Sequence, residues 1–269
     1  MIKGHARLLI FTLVCFIHVC YILYMRIKER RTSLLISMFI MDALEKKPII
    51  FDEVMCEILD LPHNQKTRST LRKLEKAGVI ESRAKNEYVL SAQGTEELCL
   101  YFPYVRFLSK KWDKKWRILS YEIPESERVL RDKLRRKVAT WGLGPWHRSF
   151  WITPHPIIPA LSELISGKKE RAYIQAFEAD HAVGDIQVLL EKAWSISKLE
   201  SEYRELFREW HKILSQDQSP SKKLRLIIDG YVDVLKRDPG LPKEVLGPNW
   251  VGYEAISIFK EIKTILLSR

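Results

Sequence analysis

Between Gln65 and Lys76 the sequence QKTRSTLRKLEK spaces hydrogen-bond donors so that they gather on one side of a helix. At about 100° per residue, Thr67, Leu71 and Leu74 share one side, facing a core. Gln65, Lys66, Arg68, Ser69, Arg72, Lys73 and Lys76 form the opposite face, with the single acid Glu75 at its edge. Arg and Gln can each make paired hydrogen bonds to base edges, guanine for Arg and adenine for Gln, while Lys and Ser mainly hold phosphates. Such a face suits the major groove of double-stranded DNA. Arg83 and Lys85, in a turn farther along, are placed to follow the backbone or an adjacent minor groove if that turn is the tip of a wing. The competing reading is a solvated basic helix on a protein-binding domain.

Other chemistry is sparsely provided for. Cys15 and Cys20 lie in one apolar run and Cys56 and Cys99 are isolated, so no pair has zinc-ligand spacing, and a reducing compartment fits best. His147, His155 and His181 follow no ligand pattern, and the chain has no GxGxxG, P-loop or GxSxG stretch. No catalytic residue, metal or cofactor is expected. The 45 Lys and Arg against 34 Asp and Glu leave a formal charge of +11, which favours a polyanionic partner, nucleic acid or anionic lipid.

The elements that must carry the donor face can be read from periodicity. Residues 32–45, 51–59 and 64–77 have helical spacing, with Asp60-Leu61-Pro62 as a short connection between the second and third. Gly78 suits the position just past a helix end, and Val79-Ile80 and Tyr88-Val89-Leu90 read as strands around the turn Arg83 to Asn86. Three helices and a hairpin predict a winged helix. An aromatic connector from Leu100 to Phe107 leads into a βαβαβα pattern: strands 116–123, 146–152 and 171–179, helices 125–141, 158–165 and 183–194. That order predicts a small sheet with helices on one face. A long amphipathic helix over 199–214, a polar linker over 215–223 and a helical tail complete the chain. The expected class is α+β: a hydrophobic segment over 1–25, a winged helix over 26–95, a ferredoxin-like central domain over 96–195 and a C-terminal helical domain over 196–269.

Two long stretches resemble the PaaX family of transcriptional repressors. WDKKWRILSYEIPESERVLRDKLRRKVATWGLGPWHRSFWITPHP, from Trp112 to Pro156, resembles the family's central domain with its WDGxWxLLxYDIPE start and WISPHP end. DPGLPKEVLGPNW, from Asp238 to Trp250, resembles the family's C-terminal DPxLPxELLPxxW signature. The resemblance implies a homodimer that binds palindromic operators and is released by a small acyl-CoA effector. Tyr231, Trp250, Tyr253 and Phe259 are candidates to line an effector pocket, although their spacing equally fits a core. The stretch between the third helix and the wing is shorter than in typical members.

The central domain also resembles the CRISPR-associated ferredoxin-fold nuclease, a metal-dependent endonuclease with an Asp at the end of its first strand. Here that position is Glu122, whose carboxylate stands one methylene farther out, which argues against metal-assisted phosphodiester cleavage. Glu122 reads instead as a strand-end acid, solvated or paired with Arg117 or a helix base. The helix over 128–137, rich in Arg and Lys, is a second candidate nucleic-acid surface. Finally, Leu8 to Met25 is a mostly apolar run that would span about 27 Å as a helix, followed by Arg26, Lys28, Arg30 and Arg31. Two readings stand: an inner-membrane anchor holding the regulator in the cytoplasm, or a cytoplasmic protein that starts at Met25.

Overall fold

The computed structural model describes Leu44, residues 48–58 and residues 65–268. The apolar run Leu8 to Met25, most of the first expected helix and the Asp60 to Pro62 connection lie outside the described residues. Among the described residues no helix is long and apolar enough to cross a membrane. The described residues divide into two compact units: one holds those up to Thr95 with Asp217–Asp229 and 265–268, the other Glu96–Gln216 with Gly230–Thr264.

In the first unit, β1 (Ile49–Ile50) precedes α1 (Glu53–Ile58), α2 (Gln65–Lys76), β2 (Ile80–Ala84) and β3 (Glu87–Leu90). The three strands form an antiparallel sheet in the order β1-β3-β2. β1 was not apparent in the sequence, because two residues cannot display alternation. Its register with β3 pairs Ile49 with Tyr88, and the Phe51 N–H donates to Asn86 O at 2.7 Å. Asp52 caps α1, accepting from the Met55 N–H at 2.8 Å. α2 ends in a Schellman motif: Gly78 sits at φ +73°, its N–H donates to Glu75 O at 2.9 Å, and the Val79 N–H donates to Leu74 O at 3.0 Å. This aims the chain directly into β2.

Ser91 then starts α3 (Ala92–Tyr101). Its hydroxyl accepts from the Gly94 N–H at 2.9 Å and donates to Gly78 O at 2.5 Å, joining the helix start to the end of α2. A side chain at Gly94 would place its Cβ 2.0 Å from Val79 O, so only glycine lets α3 come this close to the strand.

The second unit contains β4 (Trp116–Tyr121), α4 (Arg128–Thr140), β5 (Gly144–His147), β6 (Phe150–Thr153), α5 (Ile158–Ile165), β7 (Ile174–Ala179) and α6 (Ile186–Trp194). The sheet is antiparallel in the order β5-β6-β4-β7, the βαββαβ arrangement of a ferredoxin-like domain. The single strand expected over 146–152 is two strands of a hairpin, because the chain turns at Arg148-Ser149. Helices also cover both faces, not one. Leu119, Tyr121 and Trp151 pack with Leu134, Val138 and Leu161 from α4 and α5. Trp116 and Ile152, from the other face, pack with Leu189, Leu190 and Ala193 of α6. The reason is legible in β4, whose two faces both carry large apolar residues, as in strands buried on both sides.

α7 (Ile196–Ser215), α8 (Pro220–Leu235) and α9 (Val251–Leu267) follow, with a four-residue helix at Lys243–Leu246. The linker expected over 215–223 shrinks to Gln216–Ser219, since Pro220 opens α8 at a position where its missing N–H costs nothing. Tyr203 and Trp210 of α7 are buried with Tyr231 and Phe259; the Trp210 and Tyr231 rings meet edge to face at 5.3 Å.

Candidate nucleic-acid interface

α2 divides as its periodicity predicts. Thr67, Leu71 and Leu74 are buried, and Gln65, Arg68, Ser69, Arg72, Lys73, Glu75 and Lys76 are exposed. Lys66 belongs to the same helix. The helix has no acid in its first turn and two lysines, Lys73 and Lys76, in its last, so the base-capable groups lead and the cations sit at the negative end of the helix dipole.

The β2–β3 hairpin turns at Lys85-Asn86, with Asn86 in the left-handed region at φ +63°, a conformation Asn tolerates better than most residues. Register slips between Ser82 and Ala84, which leaves Arg83 as the extra residue of a bulge. Bulges re-aim side chains, and this one turns Arg83 outward next to Glu81, at 3.1 Å, with both side chains mostly exposed. Lys85 is exposed at the tip. The hairpin thus carries two cations, one of them partly offset by Glu81. The bulge could not be foreseen, because no Gly marks it.

The two signature stretches meet in the second unit. His155, in the WITPHP stretch, is buried, and its Nε2 donates to Pro239 O at 2.6 Å. A carbonyl can only accept, so the proton is on Nε2. Desolvation pushes the His155 imidazole down to about 3, keeping it neutral, and its ring stacks on Phe107 at 4.9 Å. Next to Pro239, Asp238 is fully enclosed. It accepts from Tyr203 Oη at 2.6 Å and from the Gly240 N–H at 2.7 Å, yet burial outweighs these bonds and pushes its carboxyl up to about 6. Tyr104 Oη donates to Gly252 O at 2.7 Å in the same interior.

In WDKKWR, Asp113 holds the buried Arg117, accepting from Nη1 at 2.8 Å. Arg117 also donates to Glu178 at 3.0 Å and to Pro154 O at 3.3 Å. The signature residues therefore fasten strand, hairpin and C-terminal segment to one another. Sequence reasoning missed this role for His155, Asp238 and Arg117, because only the fold brings them together.

Arg117 is committed to Asp113 and Glu178, so of the alternatives for Glu122 the pairing with Arg117 falls. Glu122 lies exposed just past β4, its N–H donating to Tyr173 O at 2.9 Å. Among the described residues no group of three or more His, Cys, Asp or Glu side chains could hold a metal ion. Tyr231, Trp250 and Phe259 are buried in the helical core and Tyr253 is half-buried, so three of the four tail aromatics pack against protein.

The fold is thus mixed α and β, with a ferredoxin-like sheet in its middle. Residues 109–188 match the family model of the PaaX protein central Cas2-like domain, and residues 194–269 match that of the PaaX-like protein C-terminal domain. The chain belongs to the PaaX-like family. No curated protein matches it. Among solved structures it is similar to the "Uncharacterized protein Rv0674 from Mycobacterium tuberculosis". The two are 18% identical, with a TM-score of 0.51 over 88% of this chain and 95% of that one, a likeness of fold.

Proposed function

We propose that this chain is a DNA-binding transcriptional repressor that reads double-stranded DNA through a winged helix spanning residues 26–95. The observation that carries the reading is the partition of α2: an apolar seam of Leu71 and Leu74 faces inward, and Gln65, Arg68, Ser69, Arg72, Lys73 and Lys76 are all exposed. The order helix, helix, hairpin with a short strand completing a β1-β3-β2 sheet supports the winged-helix assignment. In this reading Gln65, Arg68 and Arg72 contact base edges, Lys66, Ser69, Lys73 and Lys76 hold phosphates, and Arg83 and Lys85 follow the backbone beside the groove. Membership of the PaaX-like family supports a regulatory role.

By resemblance to that family, the protein acts as a homodimer on a palindromic operator in the cytoplasm, and an acyl-CoA-type effector releases it. The N-terminal segment, 1–25, anchors it to the inner membrane if that segment is translated. The direct test is binding of the chain to the DNA upstream of its own gene against a scrambled duplex. Preference for the native duplex is expected; equal affinity for both overturns the assignment of a sequence-specific regulator, and Mg²⁺-dependent cleavage lost on Glu122→Gln would replace it with a nuclease.

A further inference from the structure

α4 carries a second basic face that the proposed reading of α2 does not use. Its sequence RVLRDKLRRKVAT holds Arg128, Arg131, Lys133, Arg135, Arg136 and Lys137 against one acid, Asp132. Leu134 and Val138 turn into the core. At about 100° per residue, Arg128, Arg135, Arg136 and Lys133 then fall together on the arc opposite that seam. Exposure agrees: all four are exposed, Arg128 has 71% of its side chain accessible, and Val129 beside them is 82% exposed.

The internal partners on this face are weak. Asp132 lies 3.8 Å from Arg128, and Arg136 spends its Nε on the backbone oxygen of Asp132 at 3.2 Å. Neither Lys133 nor Arg135 has an ion pair among the described residues. By contrast, the two cations at the flanks are occupied: Arg131 pairs with Glu125 at 2.6 Å, and Lys137 lies over the Tyr101 and Trp141 rings. Pairing at the flanks leaves Lys133 and Arg135 without an ion pair among the described residues, beside Arg128, which is held only by the long contact to Asp132.

We propose that the outward face of α4, centred on Arg128, Lys133, Arg135 and Arg136, is a second surface for the phosphate backbone of duplex DNA. From Arg128 to Arg136 the helix rises about 12 Å, a length over which duplex DNA presents roughly seven phosphate charges. The face lacks the Gln and Ser of α2, and in this role its arginines and lysine hold phosphates, where they contribute affinity and orientation and no base preference. The proposal rests on the chain being a duplex-binding protein, not on which helix reads the bases.

The test measures binding of the full chain to operator and scrambled duplexes across a salt series. The native chain is compared with Lys133→Gln/Arg135→Gln/Arg136→Gln and with a control of equal charge change elsewhere on the surface, Lys198→Gln/Lys212→Gln/Lys260→Gln. The α4 variant is expected to bind both duplexes about tenfold more weakly per lost contact near 0.1 M salt. Its slope of log affinity against log salt should be shallower by about two to three, with the preference for operator unchanged. The control should bind like the native chain.

Native-like affinity and slope in the α4 variant overturn the proposal while leaving the α2 reading intact. Equal losses in the α4 variant and the control also overturn it, since net charge alone would then be responsible. If the native chain shows no operator preference but the α4 variant alone loses duplex affinity, the second surface stands and the sequence-specific reading of α2 falls.

Discussion

Arg68 and Arg72 stand one turn apart on the exposed side of α2, where each guanidinium can address a base edge. Replacing either with Ala is expected to weaken operator binding by about 1–3 kcal/mol per lost base contact and to flatten the preference over scrambled DNA. A titration in which both variants retain the native preference would move base reading elsewhere. These residues were legible because a helix repeats its faces. His155 and Asp238 were not, since they are far apart in sequence and neither lies in a pattern that announces burial.

The structure gives this second pair opposed acid responses. The unfolded chain protonates a histidine near 6.5, so the stability that His155 contributes is complete above that value and is lost as pH falls toward its folded value of about 3. Asp238 runs the other way: its contribution is full below the ordinary value of 3.8 and is lost as pH rises through about 6. Between about pH 4 and 6 the two slopes, each roughly 1.4 kcal/mol per pH unit, oppose one another. Asp238→Asn should therefore lose stability on acidification more steeply than the native chain, and His155→Gln less steeply. Urea unfolding of both variants at a series of pH values checks this, and curves parallel to the native one would contradict it.

Among the elements, the junction of α2, the hairpin and α3 depends on a few short-range devices. Ser91 caps α3 and returns a hydrogen bond to Gly78 O, and Gly94 lets the helix touch Val79 O. Ser91→Ala is expected to cost about 1–2 kcal/mol, the usual range for a lost N-cap. Gly94→Ala should cost about 3 kcal/mol or more, because the new methyl group would meet backbone. Thermal denaturation of the two variants gives the order; a Gly94→Ala protein as stable as the native chain would show that α3 can move away freely.

Element by element, the sequence was most readable where a helix had a single apolar stripe, as in α2 and α7. It was least readable where backbone hydrogen bonding decides. The Arg148-Ser149 turn splits an apparently continuous alternation into β5 and β6, and β1 is too short to show a period. Pro220 looked like part of a linker, yet it begins α8, because proline is compatible with the first turn of a helix as well as with a loop.

For the whole molecule, much of the excess of Lys and Arg over Asp and Glu sits on two helices, α2 and α4. Concentrated charge of this kind makes association with a polyanion steep in salt, whereas the same charge spread over the surface would mainly favour solubility. The family signatures serve a different end, tying β4, the β5–β6 hairpin and the Asp238 segment into one interior. The buried signature residues Arg117, His155 and Asp238 thus serve the fold, whereas the exposed cations of α4, which lie within the first signature stretch, are the ones proposed to touch DNA.

The central claim is that the exposed face of α2 reads sequence, and competition binding tests it most directly. The full chain and its Arg68→Ala/Arg72→Ala variant are titrated with a labelled duplex from upstream of the gene, in the presence of excess scrambled duplex at roughly physiological salt, where non-specific binding is weak. A native chain that stays on the upstream duplex, with a variant displaced by the competitor, is the result predicted. Displacement of both proteins alike would contradict it.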